Sequence, residues 1–138
     1  MKKILLFFLV LTAKNLFSQT LLLFGGENNE VFLGCFTCNN YDKNSIWNTY
    51  GTYGSKYSSN SIWNKYGSFG GKYNIYSPFN NYTTTPPILV DNEGNFYGYF
   101  TSNRYVGKRT NNKLALYLTD NWESITDNVG EFYKQLTK

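Results

Sequence analysis

The fold of this chain depends on a stretch that reads Ser45-Ile46-Trp47-Asn48-Thr49-Tyr50-Gly51 and that returns sixteen residues later as Ser61-Ile62-Trp63-Asn64-Lys65-Tyr66-Gly67. A weaker third copy reads Ser77-Pro78-Phe79-Asn80-Asn81-Tyr82. Because aromatic residues and glycines recur at fixed positions, the repeat indicates a regular structure and not low complexity. Fewer than three full copies of a sixteen-residue unit are not enough for a free-standing solenoid. We therefore expect the repeats to pack on other elements.

Each unit has the residues of a capped helical turn followed by a loop that carries tyrosines. In the first unit, Asn44 or Ser45 is a good N-cap, and Gly51 stands where a left-handed residue would end the turn. Gly54 allows a second bend three residues later. The second unit offers Asn60 or Ser61 as the cap, with Gly67 and Gly70 at the other two positions.

The segments on either side of the repeats predict an α+β fold. Residues 19–38 and 86–103 each contain two β-prone runs around turn residues, and therefore read as two hairpins of a small antiparallel sheet. The repeats occupy residues 39–85. Apolar residues at three- and four-residue steps predict an amphipathic C-terminal helix at 114–138 that packs on the sheet.

The first eighteen residues have the pattern of a secretory signal peptide. Lys2 and Lys3 precede a short apolar run from Ile4 to Leu11, and Ser18 is a small residue at a plausible cleavage point. The run is too short to span a bilayer, and no later stretch is long enough either. Cleavage would leave residues 19–138 as one exported domain, periplasmic, at the cell surface or secreted.

The high pI belongs mostly to this leader. Cleavage would remove three of the thirteen basic residues and leave ten against nine acidic ones, a net charge of about +1. The composition therefore gives little reason to expect a nucleic acid as the partner. Tyr and Phe are unusually frequent, with thirteen and eleven residues, so a core must be built largely from rings.

Several motifs together resemble those of a family of small exported bacterial proteins. They are the Gly34-Cys35-x-x-Cys38-Asn39 opening, the twin repeat units and the Asp91-x-x-Gly94-x-Phe96-Tyr97-Gly98 hairpin. The similarity spans roughly residues 21–103 and implies one compact exported module. The family has no established activity, so the resemblance transfers no catalytic residue. The chain departs from the pattern in its third unit and in its longer tail after Asn103.

Histidine is absent from the sequence, which excludes Ser-His-Asp and Cys-His nucleophiles and the two-histidine zinc helix. No phosphate-binding glycine-rich loop is present. We therefore predict no catalytic residue and no cofactor, and we expect the protein not to be an enzyme.

Cys35 and Cys38 are a candidate site with three interpretations. The pair could be a structural disulfide formed after export. It could be a thiol–disulfide redox site, although the Asn- and Gly-rich residues that follow are poor helix formers and the βαβ pattern is missing. It could also supply half of a zinc site, which would need carboxylates or a second chain.

The aromatic repeat is the other candidate, because flat rings can stack on sugar faces or on apolar parts of a polymer. The six candidate binding residues are Trp47, Tyr50, Tyr53, Trp63, Tyr66 and Phe69. The alternative is that the same rings form the core, which we favour for the two tryptophans. The predicted function is a non-catalytic structural or binding element of the cell envelope, with an envelope polymer or protein as partner. A redox or metal-binding protein that uses the cysteine pair is the alternative. The oligomeric state does not follow from the sequence.

Overall fold

The structure is a computed structural model that describes residues 19–138, and the predicted signal peptide lies outside the described residues. The predicted α+β class is confirmed, with four strands and two helices. They are β1 (Leu21–Gly25), β2 (Val31–Cys35), β3 (Ile88–Asp91), β4 (Phe96–Tyr99), α1 (Lys113–Ile125) and α2 (Val129–Leu136). No helix among the described residues is long and apolar enough to cross a membrane.

The two predicted hairpins join into one antiparallel sheet of strand order β2-β1-β3-β4. The joint is the pairing of β1 with β3, in which Leu23 lies opposite Leu89. Side chains alternate between the faces of a strand, so Leu21 and Leu23 point together toward the core, and both are buried. The whole repeat region is therefore inserted between two hairpins that are neighbours in space.

The turn between β3 and β4 is organised by Asp91. Its carboxylate accepts hydrogen bonds from the side-chain amide of Asn95 and from the backbone N–H groups of Glu93 and Asn95, each at 2.9 Å. The Tyr97 hydroxyl donates to the same carboxylate at 3.2 Å. These donors, the Asn95 side chain first, hold the pKa of Asp91 below its ordinary value. The predicted hairpin turn is thus confirmed, and Gly94 takes the left-handed conformation with φ 83°.

The C-terminal segment forms two helices and not the single helix predicted for residues 114–138. Asn112 caps α1 by accepting a hydrogen bond from the Ala115 N–H at 3.0 Å. The chain then breaks at residues 126–128. Thr126 is buried there, and its hydroxyl donates to the Trp63 carbonyl at 2.9 Å. A contact with a distant repeat therefore fixes the position of the break, which the helical periodicity could not reveal.

The core is built from rings, as the composition predicts. Trp47, Trp63 and Phe79 occupy the same position in successive units, and their ring centroids lie 5.8 and 5.9 Å apart. All three are buried. Phe100 packs edge-to-face on Phe79, with the ring centroids 6.0 Å apart. Aromatic pairs at such distances contribute about 0.5–1.5 kcal/mol beyond the area that they bury.

The repeats are attached to the sheet through their indoles. Nε1 of Trp47 donates to the Phe36 carbonyl at 2.9 Å, and Nε1 of Trp63 donates to the Ile46 carbonyl at 2.7 Å. The first repeat is therefore hydrogen-bonded to the residue that follows β2, and the second repeat is hydrogen-bonded to the first. The expectation that the repeats pack on the hairpins is confirmed.

Within the repeats, the backbone forms a series of single turns closed by i→i+3 hydrogen bonds. Examples are the N–H of Asn48 to the carbonyl of Ser45 and the N–H of Gly51 to the carbonyl of Asn48. The predicted left-handed conformation of Gly51 and Gly67 is wrong, because neither has a positive φ. Successive turns of this kind reverse the chain without a left-handed residue, since both central positions of a type I turn have negative φ.

A close approach of backbone explains Gly70, one of the two glycines predicted at a second bend. A Cβ at Gly70 would lie 2.6 Å from the Ile62 carbonyl oxygen and closer still to that of Asn64. Gly54 occupies the same position in the first unit and is equally crowded by Asn48. These two positions require glycine for space and not for a special φ.

Candidate functional site

The repeats and the loop after β4 present a set of exposed tyrosines. Seven tyrosines are between 83% and 98% exposed, and we call them the tyrosine surface: Tyr41, Tyr50, Tyr57, Tyr66, Tyr73, Tyr82 and Tyr105. From Tyr41 to Tyr82 the spacing alternates between nine and seven residues, so each sixteen-residue unit contributes two. The core rings of successive units lie within 6 Å of each other, so equivalent tyrosines project from neighbouring turns.

A local hydrogen bond fixes the backbone at most of these tyrosines. In the repeats, Oδ1 of Asn48 accepts from the N–H of Tyr50 at 3.1 Å, and Asn64 does the same for Tyr66. The same side-chain-to-backbone turn, with asparagine or serine two residues before the tyrosine, holds Tyr41, Tyr57, Tyr82 and Tyr105. Such turns are characteristic of asparagine and serine. They keep the chain ordered while the ring remains in water.

The asparagines also tie each turn to the preceding one. The Asn64 amide donates to the Ser58 carbonyl at 2.9 Å, and the Asn80 amide donates to the Asn74 carbonyl at 3.2 Å. The third unit therefore keeps the geometry of the first two, although Pro78 and Phe79 replace isoleucine and tryptophan. The serine and the asparagine define the unit, and the core ring can vary.

The predicted binding residues divide into three groups. Trp47 and Trp63 are buried, so their inclusion in an exposed strip is wrong, and the favoured alternative of a core position holds. Tyr53 and Phe69 are half-buried; Tyr53 packs on the ring of Phe32 at 4.9 Å.

Only Tyr50 and Tyr66 of the six predicted residues belong to the exposed set. Five further exposed tyrosines were not predicted as binding residues from the sequence: Tyr41, Tyr57, Tyr73, Tyr82 and Tyr105. The signal that could have found four of these five is a serine or asparagine two residues before the tyrosine.

Basic side chains accompany the tyrosines. Nζ of Lys56 lies 5.5 Å from the ring centroid of Tyr57, and Nζ of Lys72 lies 5.7 Å from that of Tyr73. Residues 39–85 hold four lysines and one aspartate. The surface therefore combines exposed rings with a modest positive charge, and such rings can stack on a flat ligand.

Two shallow depressions lie where tyrosines from different turns converge. Tyr57 and Tyr66 line the first, beside the 3.1 Å ion pair of Lys65 with Asp127. Tyr82 and Tyr105 line the second, which has a volume of ≈ 460 Å³.

The second candidate site is a disulfide between Cys35 and Cys38, with an S–S distance of 2.00 Å. The disulfide joins the last residue of β2 to the loop that leads into the first repeat. The Ser45 hydroxyl of that repeat donates to the Cys38 carbonyl at 3.0 Å. The described residues that follow Cys38 form turns, and no helix begins there, unlike the helix N-terminus on which a reactive cysteine pair is commonly placed. Among the described residues, no group of three or more cysteine, aspartate or glutamate side chains could hold a metal ion.

Comparison with known protein families, with curated proteins and with solved structures finds no match to this chain. The resemblance to a family of exported bacterial proteins therefore stays a prediction.

Proposed function

We propose that this protein is a non-catalytic exported module that binds a polymer of the cell envelope through its tyrosine surface. The observation that supports this proposal is the exposure of seven tyrosine rings, although side-chain hydrogen bonds hold the backbone at six of them. A phenol ring that is nine-tenths exposed buries almost no apolar area, so it adds little to the stability of the fold. Exposed apolar patches are typical of interaction sites, and two pairs of these tyrosines, Tyr57 with Tyr66 and Tyr82 with Tyr105, converge in the two depressions.

The arrangement suits a repetitive ligand. Equivalent tyrosines occur at a fixed sequence period, so a polymer with repeated flat units could contact several of them at once. Several weak contacts on one chain raise the overall affinity well above that of a single contact. Export is the part of the proposal that rests on residues 1–18, and the mass of the protein recovered from the envelope fraction would reveal cleavage after Ser18.

The binding proposal is tested by co-sedimentation with purified cell-wall sacculi and with outer-membrane fragments. The double variant Tyr50→Ser/Tyr66→Ser should fold as the parent does, because both rings are almost fully exposed. We expect its affinity for the envelope material to fall about tenfold, the effect of losing about 1.4 kcal/mol at aromatic contacts.

Ile75→Ser is the matched control, since Ile75 is an exposed apolar residue of the same region without a ring. Equal loss in the control would indicate non-specific adhesion. Unchanged binding of the double variant would contradict the proposal.

A further inference from the structure

We infer that the second depression, between α1 and residues 81–105, binds one or two units of a neutral polysaccharide. The inference rests on the proposed function, because it assigns a ligand class to one end of the tyrosine surface. The depression is lined by aromatic rings, hydroxyl groups and carboxylates together, which is the combination that recognises the two faces and the hydroxyl groups of a sugar. We call it the α1 depression.

The aromatic lining consists of Tyr82, Tyr105 and Trp122. Trp122 is the one tryptophan of the chain that is not fully buried, since Trp47 and Trp63 are in the core. Its ring stacks on Phe79 at 5.0 Å with an interplanar angle of 10°, so it is held in place before any ligand arrives. A ring that is already fixed loses little entropy on binding. It can serve as the platform for a sugar ring, with Tyr82 and Tyr105 in the same lining.

The lining also offers hydroxyl groups that a ligand can reach. Tyr82 and Tyr105 are 88% and 98% exposed, so their phenol groups are open to solvent. Because a hydroxyl both donates and accepts, each can bond to a hydroxyl of a sugar.

The charges of the lining favour a neutral ligand. Arg104 lies 3.5 Å from Asp120, Glu123 adds a second carboxylate, and Nη2 of Arg109 donates to the lining residue Thr119 at 3.0 Å, so two cations balance two carboxylates. A nucleic acid or a uronic-acid polymer would meet both carboxylates, and both guanidinium groups already donate to acceptors of the chain. Carboxylates are strong acceptors for the hydroxyl groups of a neutral sugar. The nearby positive charge of the lysine-bearing repeats does not extend into this lining.

The test uses the full exported chain with two neutral probes, the β-1,4-linked tetramers of N-acetylglucosamine and of glucose. We expect at least one to bind with a Kd below about 1 mM by titration calorimetry. Binding should also protect fluorescence from acrylamide quenching, and the protected component should be lost in Trp122→Phe. The anionic probes are galacturonic acid tetramer and a thymidine oligonucleotide, and both should bind more weakly.

Two variants separate a binding role from a structural one. Tyr105→Ala, at a nearly fully exposed position, should weaken tetramer binding about tenfold. Tyr41→Ala, an equally exposed tyrosine outside the depression, should leave tetramer binding unchanged.

The outcomes distinguish this inference from the proposed function. If neither neutral tetramer binds at about 10 mM while envelope sedimentation persists, the inference fails and the proposed function stands. If sedimentation is also absent, both fail. Preferential binding of the oligonucleotide, or equal loss in Tyr41→Ala and Tyr105→Ala, would also overturn the inference.

Discussion

Replacing Trp63 by phenylalanine tests the claim that the repeats are held together through their buried indoles. The Nε1–H of Trp63 donates to the Ile46 carbonyl at 2.7 Å, and both residues are fully buried. The variant leaves that carbonyl without a donor, which costs about 1–3 kcal/mol. The smaller ring leaves a void of roughly 40 Å³, which at about 24 cal/mol per Å³ costs ~1 kcal/mol more. We therefore expect a loss of about 2–4 kcal/mol in the free energy of unfolding.

Such a loss is large for a domain of this size, whose total stability is of the order of 5–15 kcal/mol. The assay is urea unfolding followed by far-UV circular dichroism, because the substitution itself alters the fluorescence. The m-value should stay constant if only stability changes.

Trp122→Phe is the matched control. Both tryptophans stack on Phe79, but Trp122 is only half-buried. The reasoning is refuted if the two variants lose equal stability or if Trp63→Phe stays within about 0.5 kcal/mol of the parent.

Three further predictions concern the backbone, the hairpin and the disulfide. Gly70→Ala should cost more than ~2 kcal/mol because its Cβ meets backbone oxygens, whereas Gly107→Ala, which meets no atom within 4 Å, should stay within about 1 kcal/mol in the same urea assay. The pKa of Asp91 is lowered in the folded state, so its stabilising effect is present above the unfolded-state pKa and is lost as the pH falls through the folded value. Asp91→Asn should therefore lower the thermal midpoint at pH 7 but not at about pH 2, and equal losses at both would contradict this reasoning. Cys35→Ala/Cys38→Ala should keep the fold and cost about 2 kcal/mol for a four-residue loop. The native pair should resist mild reductant in a thiol-probe assay, and ready cycling would favour the redox alternative.

The local pattern was sufficient for the strands of the sheet. Leu21–Phe24 and Ile88–Val90 are short apolar runs with β-prone residues, and the turn residues Asp91 and Gly94 mark the hairpin at residues 88–99. The same reasoning failed at residues 126–128, because a hydrogen bond to a residue 63 positions away decides where the helix breaks. A periodicity of three and four residues continues through such a break without a visible signal.

For the candidate site, the sequence identified the repeat and favoured a core position for its two tryptophans, but it singled out only two of the seven highly exposed tyrosines. Tryptophan and tyrosine are both aromatic, and the spacing of the repeat does not distinguish a ring that points inward from one that points outward. The structure separates them through small polar residues. The Ser61 hydroxyl accepts from the N–H of Trp63, in a turn that directs the indole into the core. Oδ1 of Asn64 accepts from the N–H of Tyr66, in a second turn that directs the phenol ring into solvent.

By itself, the sequence determined the period of the repeat, the ring-built core, the two hairpins and the α+β class, because these follow from local spacing and composition. Only the tertiary structure decided which rings are buried, that Trp122 and Ser102 share one depression, and that the cysteines form a disulfide. Burial and proximity depend on how segments far apart in the chain pack together. The α1 depression combines residues from positions 81 to 123, which no local pattern could bring together.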